Sequence, residues 1–216
     1  MQLLAMFVKD VRRTEQKYRK PRNIIMRIEP SAIGFDIDGV VADTTEAFIR
    51  ILNKKYGISG ITAADIVEFD VCQCLNIEPE IVEGTFAALL TDPIAAEMRP
   101  LPGAVSVLQC LGRQAPLTFI TARPLRRPIA DWLSHVLGRE TFQNSNLIAM
   151  GDHDGKASHI RKAGLNYFVD DRYETCVELE TGGDITPLVF TQPWNKGRHQ
   201  LQSVSSWLEI AQLCHL

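Results

Sequence analysis

Five short apolar runs, at residues 32–35, 117–120, 147–150, 167–169 and 187–190, alternate with stretches whose apolar residues recur at helical spacing. Runs of three to four apolar residues are too short for helices and read as buried strands. The stretches at 104–111 (after Pro102-Gly103), 129–137, 157–163 and 204–213 read as helices. Alternation of this kind folds as a parallel sheet with helices on both faces, because parallel neighbours need a crossover and a helix is the compact one. Open sheets of this type hold their ligand chemistry at the carboxyl ends of the strands. The polar residues of this chain gather there.

Composition narrows the class. The 216 residues are 45% hydrophobic and 23% charged, with a formal net charge of -3. That length allows one large domain, or one domain with a small insert, and a core that needs no disulfide or metal staple. Low hydrophobicity with high net charge, the mark of disorder, is absent. No run of 18 apolar residues offers a membrane-spanning helix. A balance of 23 basic and 26 acidic residues speaks against a general nucleic-acid binder. The expectation is a soluble, cytoplasmic protein. Five cysteines, at 72, 74, 110, 176 and 214, are odd in number and lie in apolar context, so they read as buried free thiols rather than metal or redox groups. Residues 1–8 are mostly apolar and 9–22 basic, the reverse of a secretory signal, and 1–30 reads as a helical arm.

One interval is too long. A strand–helix–strand unit takes about 30 residues, yet the first strand ends at Asp36 and the next near Thr121, about 85 positions later. The excess contains helical patterns: 48–56, closed by Gly57; 63–69, with Thr62 placed to cap it; and 79–90. The chain therefore divides into an arm (1–30), a core (31–44 and 100–216) and a helical insert (45–99) over the strand ends.

The densest polar signal follows the first strand, where Asp36 and Asp38 flank Ile37 ahead of Gly39. Two carboxylates at the end of a buried strand are costly unless neutralised. A hard cation such as Mg²⁺, which takes carboxylate and carbonyl oxygens, does that. A turn in which Asp38 merely caps a helix is the alternative. Three later features tell against it. Residues 118–124 end a strand on Thr121 and lead into a helix whose free N–H groups, starting at Ala122 and Arg123, suit an anion. Gly155-Lys156 opens another helix and brings an ammonium to the same edge, and residues 168–172 end a strand on Asp170 and Asp171. The loop 151–155 has too few acidic ligands for calcium and reads as the segment that presents Lys156. His153 within it reads as a solvated residue.

The ordered set D-x-D-G-V, T-A-R-P, Lys and V-D-D resembles the four motifs of the haloacid dehalogenase superfamily of phosphohydrolases, over residues 31–190. Within it, D-x-D-G-V-x-A-D, the R-P after the hydroxyl, D-D-R, and Thr191-Gln192-Pro193-Trp194-Asn195 with Arg198 and Trp207 are similar to the 5′(3′)-deoxyribonucleotidase-like branch and its bacterial nucleotidases. The resemblance implies a Rossmann-like core with a small helical cap inserted after the first strand. It implies a Mg²⁺-dependent phosphomonoesterase working through an aspartyl-phosphate. Asp36 would be the nucleophile and Asp38 the general acid and base. The metal ligands would be Asp36, the Asp38 carbonyl and Asp170, with Asp171 in support. Thr121, the N–H groups after it and Lys156 would bind the phosphoryl oxygens. Arg123 would touch phosphate or leaving group, or else form a structural ion pair. Members of the branch carry an aromatic soon after the first motif; here Thr44-Thr45 follow, and Phe48 and Trp194 are the aromatics placed to stack on a base instead.

The expected partner is a small-molecule phosphate monoester, with no nucleic-acid polymer and no membrane; homo-oligomer formation stays open. Two other classes compete: a non-catalytic phospho-acceptor resembling a receiver domain, and a binding protein of the same fold without turnover. Receivers place adjacent acidic residues on the first strand and lack a large insert.

Overall fold

The computed structural model describes residues 27–216 except His153. Its first strand, β1 (Ile33–Phe35), is buried at every position and runs between two parallel neighbours, β2 (Leu117–Thr121) and β4 (Tyr167–Asp170). With β3 (Ser145–Ala149), β5 (Thr186–Phe190) and β6 (Ser203–Val204) it forms an all-parallel, six-stranded sheet of order β3-β2-β1-β4-β5-β6. This is the Rossmann-like α/β architecture expected. Burial on both faces explains why the strands read as continuous apolar runs instead of alternating ones.

Helices α1 (Thr44–Tyr56) and α2 (Pro79–Thr91) lie between β1 and β2, followed by α3 (Ala104–Gly112). Helices α4 (Arg126–Leu137) and α5 (Arg139–Gln143) precede β3, α6 (Lys156–Lys162) precedes β4, α7 (Tyr173–Gly182) precedes β5, and α8 (Trp207–Leu213) closes the chain. Phe35 anchors the core under β1, its ring centroid 6.4 Å from Phe119 and 5.2 Å from Trp207. Asp43 caps α1 by accepting the Glu46 N–H at 3.0 Å. Gly57, at φ +69°, ends that helix in the left-handed region.

The chain leaves and re-enters the core through two strands of linker side by side. Asp43 N–H donates to Arg99 O and Leu101 N–H to Val41 O, both at 2.8 Å, around an antiparallel bridge between Ala42 and Pro100. Between these linkers the described residues form helices and turns only. Residues 63–69 are not a helix: a 3-10 turn, Ala63–Asp65, is held by the Asp65 carboxylate accepting both the N–H and the hydroxyl of Thr62. A second such turn, Val71–Gln73, is capped by Asp70.

Two other expectations change, and two helices were not foreseen. Residues 203–204 form the edge strand β6, so the last helix cannot begin at 204; it starts after Ser206, whose hydroxyl accepts the Glu209 N–H. Helices α5 and α7 carry too little apolar periodicity to be read from sequence. The cysteines are all free, but only Cys176 and Cys214 are buried: Cys72 and Cys74 fall on the turn at 71–73 and its exit, and Cys110 on α3 is only partly covered. Of the expected arm, residues 1–26 lie outside the described residues; Ile28 is buried, and its N–H donates to Leu213 O.

Candidate active site

The carboxyl ends of β1, β2 and β4 and the start of α6 converge on one point. Asp36 follows β1, and Gly155 at φ +77° turns the chain so that Lys156 opens α6. The Lys156 ammonium donates to Asp36 Oδ1 at 3.0 Å and to Asp170 Oδ2 at 2.6 Å, with all three side chains buried. Its pKa responds to two opposing effects: burial lowers it, but the charges of Asp170 and Asp36 prevail and hold it above the ordinary lysine value. Asp171 completes the group; oxygens of Asp36, Asp170 and Asp171 lie within 4.8 Å of one another.

Three buried carboxylates against one ammonium leave an excess negative charge. Burial first, then the neighbouring charges of Asp170 and Asp36, push the Asp171 carboxyl well up. Asp36 is also pushed up, by burial against the pull of Lys156. The donor set is all oxygen, its excess is what a divalent cation neutralises, and its spread is close to the about 4.2 Å between opposite oxygens of an octahedral Mg²⁺ shell. These residues fit a hard divalent cation.

Asp38, two residues on, faces a different environment. Its carboxylate is half-buried and takes a two-pronged contact from Arg123, Nε to Oδ2 at 2.8 Å and Nη2 to Oδ1 at 2.7 Å. The Thr44 hydroxyl donates to Oδ1 at 2.6 Å. Burial pushes this carboxyl up, but the guanidinium and the hydroxyl together bring it below its usual range. The Arg123 side chain is therefore an ion-pair partner here. Its Nη1 also donates to Leu89 O of α2 at 2.8 Å, joining the insert to the core.

Thr121 is buried at the end of β2, and its Oγ1 accepts the Arg123 N–H at 3.3 Å. The helix expected directly after it starts only at Arg126, so Ala122 and Arg123 lie in a loop, and the N–H groups there are not those of a helix N-terminus. Gly39 is at φ +68°, and a Cβ there would stand 2.4 Å from Asp171 Oδ2. Only glycine lets the first acidic turn pass the second at that distance.

Sequence reasoning missed the support behind Asp171. Trp194 Nε1 donates to Asp171 Oδ2 at 3.1 Å, and Asn195 Nδ2 donates to Asp171 O at 2.7 Å and Phe190 O at 2.8 Å. Gln192 Nε2 donates to Gly39 O at 2.6 Å. The only sequence signal was the resemblance of residues 191–195 to the nucleotidase branch. Above the carboxylates a cavity of about 680 Å³ opens under the insert, with Asp38, Thr44, Phe48, Arg123, Asp171 and Trp194 in its wall. Phe48 is buried there, its ring 5.0 Å from that of Phe86.

Fold and site together define the class, a hydrolase of the haloacid dehalogenase superfamily. The chain belongs to the family described as 5′ nucleotidase, deoxy (Pyrimidine), cytosolic type C protein, whose family model matches residues 30–216. No curated protein matches. Among solved structures, a haloacid dehalogenase-like hydrolase from Streptococcus pneumoniae superposes with TM-score 0.54 at 16% identity, covering 82% of this chain and 95% of its own. A subfamily IA hydrolase of the same superfamily from Geobacter sulfurreducens gives 0.55 at 15%, covering 90% and 99%. A protein described as a predicted phosphatase, from Clostridium acetobutylicum, gives 0.56 at 14%, covering 85% and 98%. These likenesses show the fold. Membership of a hydrolase family sets aside the receiver-like reading.

Proposed function

We propose that the chain is a Mg²⁺-dependent phosphomonoesterase that forms an aspartyl-phosphate on Asp36 and hydrolyses nucleoside monophosphates. The observation that carries this reading is the buried group of Asp36, Lys156 and Asp170 at the strand ends, joined through Asp171 to the wall of a cavity. Asp36, Asp170, the Asp38 carbonyl and, in support, Asp171 would hold the cation. When bound, it supplies positive charge that offsets the repulsion between a carboxylate and a phosphate dianion.

The side chains then have distinct tasks. An Asp36 carboxylate oxygen attacks phosphorus, and the bond from phosphorus to the ester oxygen breaks. Lys156 and the Thr121 hydroxyl hold the phosphoryl oxygens and stabilise their charge. Asp38 gives a proton to the leaving oxygen. Arg123 keeps Asp38 ionised at rest, so it must first take up that proton; a monoester near its second ionisation, around pKa 6, brings one as the monoanion. In the second step ionised Asp38 removes a proton from water. The water oxygen attacks phosphorus, the bond to Asp36 breaks, and inorganic phosphate leaves. The insert excludes bulk water meanwhile.

The test is phosphate release from a panel of nucleoside monophosphates and a generic aryl phosphate, with Mg²⁺ and with chelator. Activity should stop in chelator and vanish in Asp36→Asn with an unchanged circular dichroism spectrum, and Asp38→Asn should lose roughly 10²–10⁴-fold. Near-full activity of folded Asp36→Asn would overturn the covalent mechanism. Absence of phosphate release from every ester would favour a binding protein without turnover.

A further inference from the structure

The cavity above the carboxylates has a polarity that says what it admits. Its upper wall comes from the insert and is apolar, with Ile66, Val71, Val82, Phe86, Leu89 and Leu90. The ionisable groups on the same wall are acidic: Glu68, Asp70 and Glu83. Glu68 is paired with Arg198, which approaches from the core. Asp70 accepts hydrogen bonds from the Cys72 N–H at 3.0 Å and Gln73 Nε2 at 3.3 Å, neither of which carries charge. Glu83 is exposed on α2.

Among the described residues, Arg123 is the only lysine or arginine in the wall. Its nitrogens are engaged by Asp38, Leu89 O and Met98 Sδ. A phosphoryl group reaching the carboxylate cluster meets Lys156, which donates to Asp36 and Asp170 and is not part of the cavity wall. A second anion on the leaving group would meet apolar side chains and the carboxylates of Asp70 and Glu83, neither of which has an ion-pair partner among the described residues, and would lose its hydration without gaining a partner there.

We propose that this cavity selects by charge, taking uncharged leaving groups with a flat apolar face and rejecting those that carry a second phosphate or a carboxylate. This rests on the phosphomonoesterase reading and adds a rule to it. A nucleoside monophosphate passes. The same nucleoside with a second phosphate at the other end of the sugar, a sugar bisphosphate and a phosphorylated hydroxy acid do not. The apolar wall supplies affinity for the flat face, and the acidic residues supply the discrimination.

The experiment compares kcat/KM for matched pairs: a nucleoside 5′-monophosphate against its 3′,5′-bisphosphate, and phenyl phosphate against 4-carboxyphenyl phosphate, with Mg²⁺ in excess. In each pair the uncharged member should be favoured by about tenfold or more, and the ratio should shrink as salt screens the field. Glu83→Lys should narrow the ratio severalfold, mainly through a lower KM for the anionic member. The same reversal at exposed Glu180 on α7, away from the cavity, should leave the ratio where it was. Equal or better turnover of the anionic members, or a ratio insensitive to Glu83→Lys and to salt, would overturn the charge rule and leave the phosphatase reading standing. If no ester releases phosphate, the reading itself falls and the rule with it.

Discussion

The Trp194 side chain has two ways of acting, and one substitution separates them. Its ring lines the cavity, while its indole N–H donates to the buried Asp171. Trp194→Phe keeps an aromatic face and removes the donor. A residue that acts through Asp171 should then show a half-activating Mg²⁺ concentration raised by about tenfold, with little change in ester KM, since partners behind a metal carboxylate commonly matter by 10–100-fold. A residue that acts by stacking would show the opposite pattern. Magnesium titration at fixed ester, with isothermal calorimetry as a direct check, reads both. Gly39 gives a second prediction. A methyl there would meet Asp171 Oδ2 at 2.4 Å on a backbone at φ +68°. The left-handed conformation alone costs roughly 1–2 kcal/mol for a residue with a side chain. Gly39→Ala should therefore lower the thermal midpoint and weaken Mg²⁺ binding together, and an unchanged metal affinity would show that the turn can relax away from Asp171.

Among the elements, the loop at 191–198 does more than connect β5 to β6. One end holds Gly39 and Asp171 through Gln192, Trp194 and Asn195. The other reaches the insert, where Arg198 pairs with Glu68 and donates to Val67 O at 2.9 Å. On the opposite side the insert is joined by the paired linkers at 41–43 and 99–101. The Arg198–Glu68 ion pair is partly exposed, so solvent and salt screen it as they screen any surface pair. Arg198→Ala should raise ester KM by no more than about fivefold, with the difference from wild type fading as salt is added. A loss of kcat beyond tenfold would mean that the loop positions reacting groups and does not simply hold the insert down. The insert was visible in the sequence as an overlong interval, but its inner turns were not. Residues 63–69 carry helical periodicity, yet Asp65 folds back onto Thr62 and Asp70 onto Cys72, local side-chain bonds that compete with helix continuation.

At the scale of the whole molecule, the proposed Mg²⁺ binding links metal to stability, because a cation that binds only the folded cluster raises the unfolding free energy by mass action. Mg²⁺ should raise the thermal midpoint and chelator should reverse it, while Asp170→Asn should abolish the shift. In metal-free protein Asp171→Asn should itself raise the midpoint, since it removes one of three carboxylates held together in a buried place. A lower metal-free midpoint in that variant would mean that the hydrogen bonds to Asp171 outweigh the repulsion. The sequence by itself determined the strand–helix alternation, the presence of an insert and the order in which Asp36, Asp38, Thr121, Lys156, Asp170 and Asp171 reach the strand ends. Those follow from periodicity and from residue types at strand ends, which neighbours in the chain specify. Only the tertiary structure decided that Arg123 engages Asp38 across 85 positions, that Lys156 bridges Asp36 and Asp170 across 120 and 14, and that Trp207 donates to Val40 O across 167. It also decided that two residues at 203–204 join the sheet. Contacts of this kind arise where distant segments are packed together, and no local preference of the residues involved distinguishes them from other pairings the same side chains could make.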